Sequence, residues 1–278
     1  MWKHKLCLSV MRTLGMTETE QIDLFKQVGF DGYFVCWDEE MDLQAIVRHG
    51  QEQGMILQSV HAPFTKMDRL WYPDEWTEPT VQRLLNCLRA CEAVKAPIMV
   101  LHAFITFDRN EPTPEGIANF RRVVDAARDT GVKLAFENTE GENYLYALMD
   151  AFRDEPHVGF CWDTGHEMCY NHHEDLIAKF GDRLLCTHLN DNLGILDHQG
   201  KTTFHDDLHF LPFDGIADWQ DIAARLDRCG YQGELTFELK PNTTLNHGTY
   251  PIYGHLDAVG YVTQAYIRAC RVAALRKG

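Results

Sequence analysis

The feature that most constrains the fold of this chain is a repeat of short apolar segments, each followed by a longer segment of helical periodicity. Eight such pairs run along the 278 residues. This alternation is typical of a parallel sheet whose strands are connected by helices. It predicts eight strands: Lys5–Val10, Tyr33–Trp37, Ile56–Val60, Ile98–His102, Lys133–Glu137, Val158–Trp162, Leu184–His188 and Glu234–Leu239.

Signals at the predicted helix ends agree with this division. Thr17 and Glu20 have the spacing of a capping box, which satisfies free amides at a helix start. Four glycines follow predicted helices as C′ residues: Gly29, Gly54, Gly131 and Gly230. Repeated units of this kind predict one α/β domain over residues 1–278, a (β/α)₈ TIM barrel. Insertions are expected at Thr65–Thr77 and Asp191–Gly215, and a doubly wound open sheet is the alternative fold.

Composition restricts the location and the partners of the chain. The nine cysteines contain no C-x-x-C pair, and most lie in apolar segments, so we expect free thiols in a reducing compartment. The first ten residues resemble neither a signal peptide nor a membrane span, which predicts a cytoplasmic protein. A formal charge of −15 disfavours broad contact with nucleic acid or an anionic membrane. We therefore expect neither partner.

Side chains that commonly bind metals follow or end the predicted strands, on the face that carries the active site in such barrels. Glu137 and Glu238 end apolar strands that the barrel would bury, and buried carboxylates need a cation or a proton between them. A mixed set of histidines and carboxylates suits Zn²⁺, Mn²⁺, Co²⁺ or Fe²⁺. The full set is His61, His102, Glu137, Asp163, His166, His188, Asp207, His209 and Glu238.

Four motifs resemble the xylose isomerase-like TIM barrel superfamily, which contains sugar isomerases and epimerases and endonuclease IV-type enzymes. The motifs are CWDTGH at Cys161–His166, HLNDN at His188–Asn192, DLHFLPFDGIADW at Asp207–Trp219 and FEL at Phe237–Leu239. The resemblance implies one divalent metal ion, and a homo-oligomer is possible. The implied ligands are Glu137, Asp163, His188 and Glu238.

The leading hypothesis is a sugar isomerase or epimerase of carbohydrate metabolism, acting on a small carbohydrate or cyclitol through an enediolate. Glu137 and Glu238 would transfer the protons, since their strands lie on opposed sides of the barrel. Five residues would contact the sugar: His61, His102, His166, His209 and Lys240. Aromatic residues near strand ends could form an apolar wall, although ordinary packing accounts for each of them equally well: Trp37, Phe64, Phe104 and Trp162.

Two alternatives remain open. One is an endonuclease IV-like abasic-site phosphodiesterase, in which additional metals would bind through His61, His102, His166, Asp207 and His209. Its loops would need cations for phosphate contacts, and few are present: Lys66, Arg69, Arg109 and Lys201. The other alternative is a non-catalytic barrel that binds a ligand. The sequence names neither the sugar nor the number of metals.

Overall fold

The computed structural model describes residues 4–197, 199–245 and 250–277, and within them eight parallel strands form one sheet. All eight predicted strands are confirmed, three of them with the predicted bounds. They are β1 (Leu6–Ser9), β2 (Gly32–Cys36), β3 (Ile56–His61), β4 (Ile98–His102), β5 (Lys133–Glu137), β6 (Val158–Asp163), β7 (Leu184–His188) and β8 (Leu235–Phe237).

The sheet closes on itself. Strands β1 to β7 pair in chain order, and β1 also pairs with β8. Between β7 and β8, the amide of Leu189 donates to Thr236 O (2.8 Å) and the amide of Glu238 donates to Leu189 O (3.2 Å). This ring confirms the barrel. The doubly wound alternative is wrong, because its strand order reverses in the middle of an open sheet.

Helices follow the strands as the periodicity predicts. They are α1 (Glu18–Val28), α2 (Leu43–Glu52), α3 (Asp68–Trp71), α4 (Thr77–Val94), α5 (Pro114–Ala127), α6 (Glu142–Ala151), α7 (Thr164–Cys169), α8 (Leu176–Phe180), α9 (Trp219–Arg228) and α10 (Ala258–Leu275). Helix α1 starts with the predicted capping box: Thr17 Oγ1 accepts from Glu20 N, and Thr17 N donates to Glu20 Oε2. The four predicted C′ glycines all have positive φ, from +69° to +123°.

The two predicted insertions lie over the carboxyl ends of the strands. Thr65–Thr77 contains the short helix α3, and Asp191–Gly215 contains a single 3₁₀ turn at Phe204–Asp206. Residue 198 of this second insertion lies outside the described residues. A two-stranded antiparallel ribbon of β9 (Thr244–Leu245) and β10 (Tyr250–Pro251) follows β8, and the sequence pattern did not predict it. These segments surround the face of the barrel where the predicted site residues lie.

The interior of the barrel is divided along its axis. Its lower part is a small apolar cluster of Ile98, Val100, Ala135, Cys161 and Cys186. A strand side chain two residues further on points to the same side of the sheet. Four of the predicted site residues stand two positions beyond members of that cluster: His102, Glu137, Asp163 and His188. The apolar layer therefore lies directly below the polar site, on the inner face of the same strands.

Candidate metal centre

The four residues expected to bind one metal come together at the carboxyl ends of β5 to β8. One ligand atom from each lies within 4.8 Å of those of the other three. Glu137, Asp163 and His188 are fully buried, whereas the side chain of Glu238 is 20% exposed. The closed barrel thus gathers ligands from four separate strand–helix units.

A single imidazole nitrogen joins the two glutamates. His188 Nδ1 lies 2.9 Å from Glu137 Oε1 and 3.0 Å from Glu238 Oε2. Asp163 is oriented by protein donors, because its Oδ1 accepts from His166 N (2.7 Å) and its Oδ2 accepts from Asn190 Nδ2 (2.8 Å). Each carboxylate oxygen has two lone pairs, so these bonds leave Asp163 able to bind a cation as well.

The charges of this cluster require a positive partner. Burial raises the pKa of Asp163 to about 6. Burial would raise the pKa of Glu238 too, but the charge and hydrogen bond of His188 outweigh it and lower that pKa to about 2. Burial lowers the pKa of His188, yet the two glutamates reverse this and hold it well above its usual value. A proton on His188 offsets one of the three negative charges and a divalent cation offsets two, so these residues fit a metal.

A second group of possible ligands shares Glu137 with the first. Its members are His61, His102 and Glu137. His61 Nε2 lies 3.0 Å from Glu137 Oε2, and His102 Nε2 lies 3.5 Å from the same oxygen. Burial lowers the pKa of His102 to about 3, so its imidazole is neutral and keeps a lone pair.

A third group consists of His166, Asp207 and His209. Asp207 bridges the two histidines, with Oδ1 at 3.4 Å from His166 Nε2 and Oδ2 at 2.9 Å from His209 Nε2. Burial lowers the pKa of His209, but the charge of Asp207 more than compensates and raises it to about 9. The structure therefore brings the residues predicted for additional metals into two compact groups beside the first.

A cavity of about 280 Å³ opens above these groups. The five predicted sugar contacts all line it: His61, His102, His166, His209 and Lys240. Glu238 also lines the cavity. Glu137, Asp163 and His188 are buried, and none of the three is among the cavity's lining residues. The expectation that the two glutamates lie on opposed sides of the barrel is wrong, because both lie against His188 Nδ1. Only Glu238 of the two reaches the cavity.

The aromatic wall expected from the sequence is present only in part. Phe64 lines the cavity and stacks on His102, with ring centroids 4.7 Å apart. Phe104 instead packs on Tyr144, and Trp162 is fully buried below the site. Cavity residues that sequence reasoning missed include Glu140, Tyr170 and Phe204. Of these, Glu140 carried a weak signal, because it is a carboxylate three residues beyond the end of β5.

A buried ion-pair network supports the short helix α7. Arg225 makes two bonds to Glu167, from Nη1 to Oε1 (2.6 Å) and from Nη2 to Oε2 (2.9 Å). Its Nε donates to Asp175 Oδ1 (2.9 Å), and its guanidinium stacks over Trp162. Glu167 follows His166 directly in the chain, so the network fixes the helix that presents His166 to the cavity.

We expect Arg225→Met to lower the free energy of unfolding by about 3–5 kcal/mol, because Glu167 would remain buried without its cation. Urea unfolding measures the change. The matched control is Arg228→Met on the same helix, because the Arg228 side chain is 59% exposed and its guanidinium nitrogens lie 3.9 Å from Asp175 and Asp221. That control should change the free energy by less than about 1 kcal/mol. Equal losses in the two variants would contradict a special role of the buried pair.

Comparisons with known proteins agree with this architecture. The xylose isomerase-like TIM barrel family matches residues 22–250. The uncharacterized protein y4fM of Sinorhizobium fredii is 27% identical to this chain, with 78% of this chain and 79% of that protein covered.

Solved structures share the fold at low sequence identity. The IOLI protein, crystallised with a zinc atom, has a TM-score of 0.74 at 17% identity, with 97% of this chain and 98% of that chain covered. A D-psicose 3-epimerase studied in the presence of D-fructose has a TM-score of 0.73 at 16% identity, with 99% of this chain and 100% of that chain covered. At such identities the likeness is one of fold. None of the helices in the described ranges combines the length and the hydropathy needed to cross a membrane.

Proposed function

This chain belongs to the xylose isomerase-like TIM barrel family, and from that premise we propose that it is a metal-dependent isomerase or epimerase of a small sugar or cyclitol. The observation that carries the proposal is the convergence of Glu137, Asp163, His188 and Glu238 beneath a cavity. The shared fold of the D-psicose 3-epimerase and of the zinc-containing IOLI protein supports it.

Glu137, Asp163, His188 and Glu238 would hold the metal. A divalent ion bound there would polarise a carbonyl and an adjacent hydroxyl and so acidify the C–H bond next to them. We assign the first proton transfer to Glu238, because it lines the cavity. We assign the return of the proton to Glu137 acting through His61, because Glu137 is buried whereas His61 lines the cavity and its Nε2 lies 3.0 Å from Glu137 Oε2.

The remaining cavity groups position the sugar. His61 Nε2 and His166 Nε2 have carboxylate neighbours, Glu137 at 3.0 Å and Asp207 at 3.4 Å. Imidazoles held in this way can offer hydrogen bonds to sugar hydroxyls or transfer protons between them. Lys240 lines the cavity with an exposed side chain and is proposed as a further contact for substrate oxygens. Phe64 supplies an apolar surface for the C–H face of a sugar ring.

A second candidate is an abasic-site phosphodiesterase, and one observation favours it. The three ligand groups described above lie side by side, and a fourth possible group, Glu137, Cys161 and His188, overlaps the first. Three of these four groups share Glu137, which is the layout that several neighbouring metals would need. Cations around the mouth are few, however. Lys66 lies against the ring of Trp76 and Arg109 against the ring of Tyr72, and the net charge is −15. A duplex would find little to hold its phosphates, so we place this function second.

Two assays separate the candidates. Protein loaded with Mn²⁺, Co²⁺, Zn²⁺ or Fe²⁺ is incubated with aldoses, ketoses and cyclitols, and products are separated by chromatography. The same preparation is offered duplex DNA with one abasic site at physiological salt. We expect conversion of at least one sugar or cyclitol and no nicking. Specific nicking at catalytic concentrations would promote the phosphodiesterase, and metal-loaded protein inert in both assays would favour a non-catalytic binding barrel.

A further inference from the structure

Glu140 is a buried carboxylate in the cavity that belongs to none of the four groups of possible metal ligands in the described part of the chain. It lies three residues beyond Glu137, in the loop between β5 and α6, and its side chain is 4% exposed. It lines the same cavity as Glu238 and His166. A carboxylate that is so deeply buried costs free energy unless it gains compensating interactions.

The protein supplies two backbone hydrogen bonds, from Thr106 and from Glu140 itself. The amide of Thr106 donates to Glu140 Oε1 at 2.7 Å. No lysine, arginine or histidine lies within 4.0 Å of this carboxylate in the described part of the chain. Burial raises the pKa of Glu140 to about 7, despite the hydrogen bond from Thr106. Glu140 thus has backbone hydrogen bonds but no cationic partner among the described residues.

The backbone around the hydrogen bond is strained. Thr106 has a φ of +101°, a conformation that is unfavourable for a β-branched residue. Such strain costs on the order of 1–3 kcal/mol and persists where the surroundings enforce it, frequently at functional sites. The loop after β4 therefore adopts an unfavourable conformation in which its amide anchors Glu140 at the cavity wall.

The groups around Glu140 indicate which part of a ligand its carboxyl group can bind. Within the loops that line the cavity, the charges of His166 and Asp207 act on Glu140. Tyr170 and Phe204 add aromatic surface to the same cavity. A buried acceptor beside aromatic rings suits a neutral donor that carries its own C–H surface. A sugar hydroxyl is a donor of this kind.

We propose that Glu140 accepts a hydrogen bond from a substrate hydroxyl on a carbon outside the reacting pair, and that this contact selects among sugars. The inference rests on the proposed function, since it assigns a part of the substrate to a part of the same cavity. The Thr106 amide holds Oε1, and we assign the contact with the sugar to Oε2. Glu140 is therefore a specificity-determining residue.

The test compares loss of the carboxylate with loss of the hydroxyl. The probe is D-psicose, or the panel sugar that the metal-loaded wild type converts fastest, together with its deoxy derivatives at each carbon outside the reacting pair. Glu140→Ala should lower kcat/KM for the intact sugar by about 10- to 100-fold, mainly through KM. For one deoxy derivative the same substitution should have little further effect, because that sugar already lacks the partner.

Two further variants separate recognition of the hydroxyl from support of the loop. Glu140→Gln keeps an acceptor for Thr106 and should fold normally, with a smaller loss of kcat/KM than Glu140→Ala. Glu142→Ala, in the adjoining first turn of α6, should leave kcat/KM unchanged. If Glu140→Ala reduces kcat/KM equally for the intact sugar and for every deoxy derivative, the residue only supports the loop. The inference about Glu140 is then overturned, whereas the proposed function of the protein stands. If the metal-loaded wild type converts no sugar of the panel, the proposed function and the inference both fall.

Discussion

Glu238→Gln is expected to reduce turnover of the sugar by about 10²–10⁴-fold while the protein keeps its metal and still binds the sugar. The amide retains the shape of the side chain and one oxygen that can bind a cation, but it cannot take a proton. Because Glu238 lines the cavity and shares His188 with Glu137, the loss should lie in kcat. Glu137→Gln should also abolish turnover, with a greater risk to metal binding, because Glu137 belongs to more than one ligand group.

Solvent deuterium gives the sharper measurement of this result. A proton taken by a carboxylate can exchange with the solvent, so wild-type enzyme working in D₂O should place deuterium at the reacting carbon of the product. Glu238→Gln should fail to do so. Metal content by elemental analysis and sugar binding by calorimetry show that the variant is otherwise intact, and Glu142→Gln is the matched control. Undiminished conversion by both Glu137→Gln and Glu238→Gln would exclude these residues as the acid–base pair.

His188→Ala is expected to weaken metal binding by at least about 100-fold. Changes to groups that merely orient a metal ligand already cost about 10- to 100-fold, and His188 contacts two of the three proposed carboxylate ligands directly. The wild type should gain thermal stability when Mn²⁺ or Zn²⁺ is added, since an ion that binds only the folded state stabilises it. The variant should lose that gain.

Calorimetric titration with Mn²⁺ or Zn²⁺ measures the difference in metal affinity between the wild type and His188→Ala. His157→Ala is the control, because His157 precedes β6 at the opposite end of that strand and bonds to Val124 O. It should retain wild-type affinity for the metal. A His188→Ala protein with unchanged stoichiometry and affinity would show that the ion binds elsewhere, and the proposed centre would have to be abandoned.

The sequence was most informative where backbone geometry alone places a side chain. Alternation along a strand puts Glu137 two residues beyond Ala135 on the inner face, and closure of the barrel then brings it to His188. The inward direction of Glu137 and its approach to His188 both follow once the strands are assigned. The approach of Glu137 and Glu238 to one nitrogen depends on side-chain length and tilt, which periodicity does not contain.

Loop residues were harder to anticipate. Glu140 accepts a hydrogen bond from Thr106, whose φ is unusual, and Phe204 reaches the cavity from a 3₁₀ turn inside a long insertion. No repeating pattern specifies such conformations. Of the aromatic residues near the strand ends, Phe64 lines the cavity, whereas Phe104 packs on Tyr144, and strand periodicity does not distinguish these two positions.

The hydrogen bonds that join β7 to β8 also determine when the centre can exist during synthesis. Glu238 follows the last strand of the barrel, and its amide is held by Leu189 in that seam. A nascent chain that has produced only seven strands carries Glu137, Asp163 and His188 but lacks the fourth group and the wall that encloses them. Tight binding of a metal ion should therefore begin only when β8 pairs with β7. A tightly bound ion would then show that all eight strands of the barrel have paired.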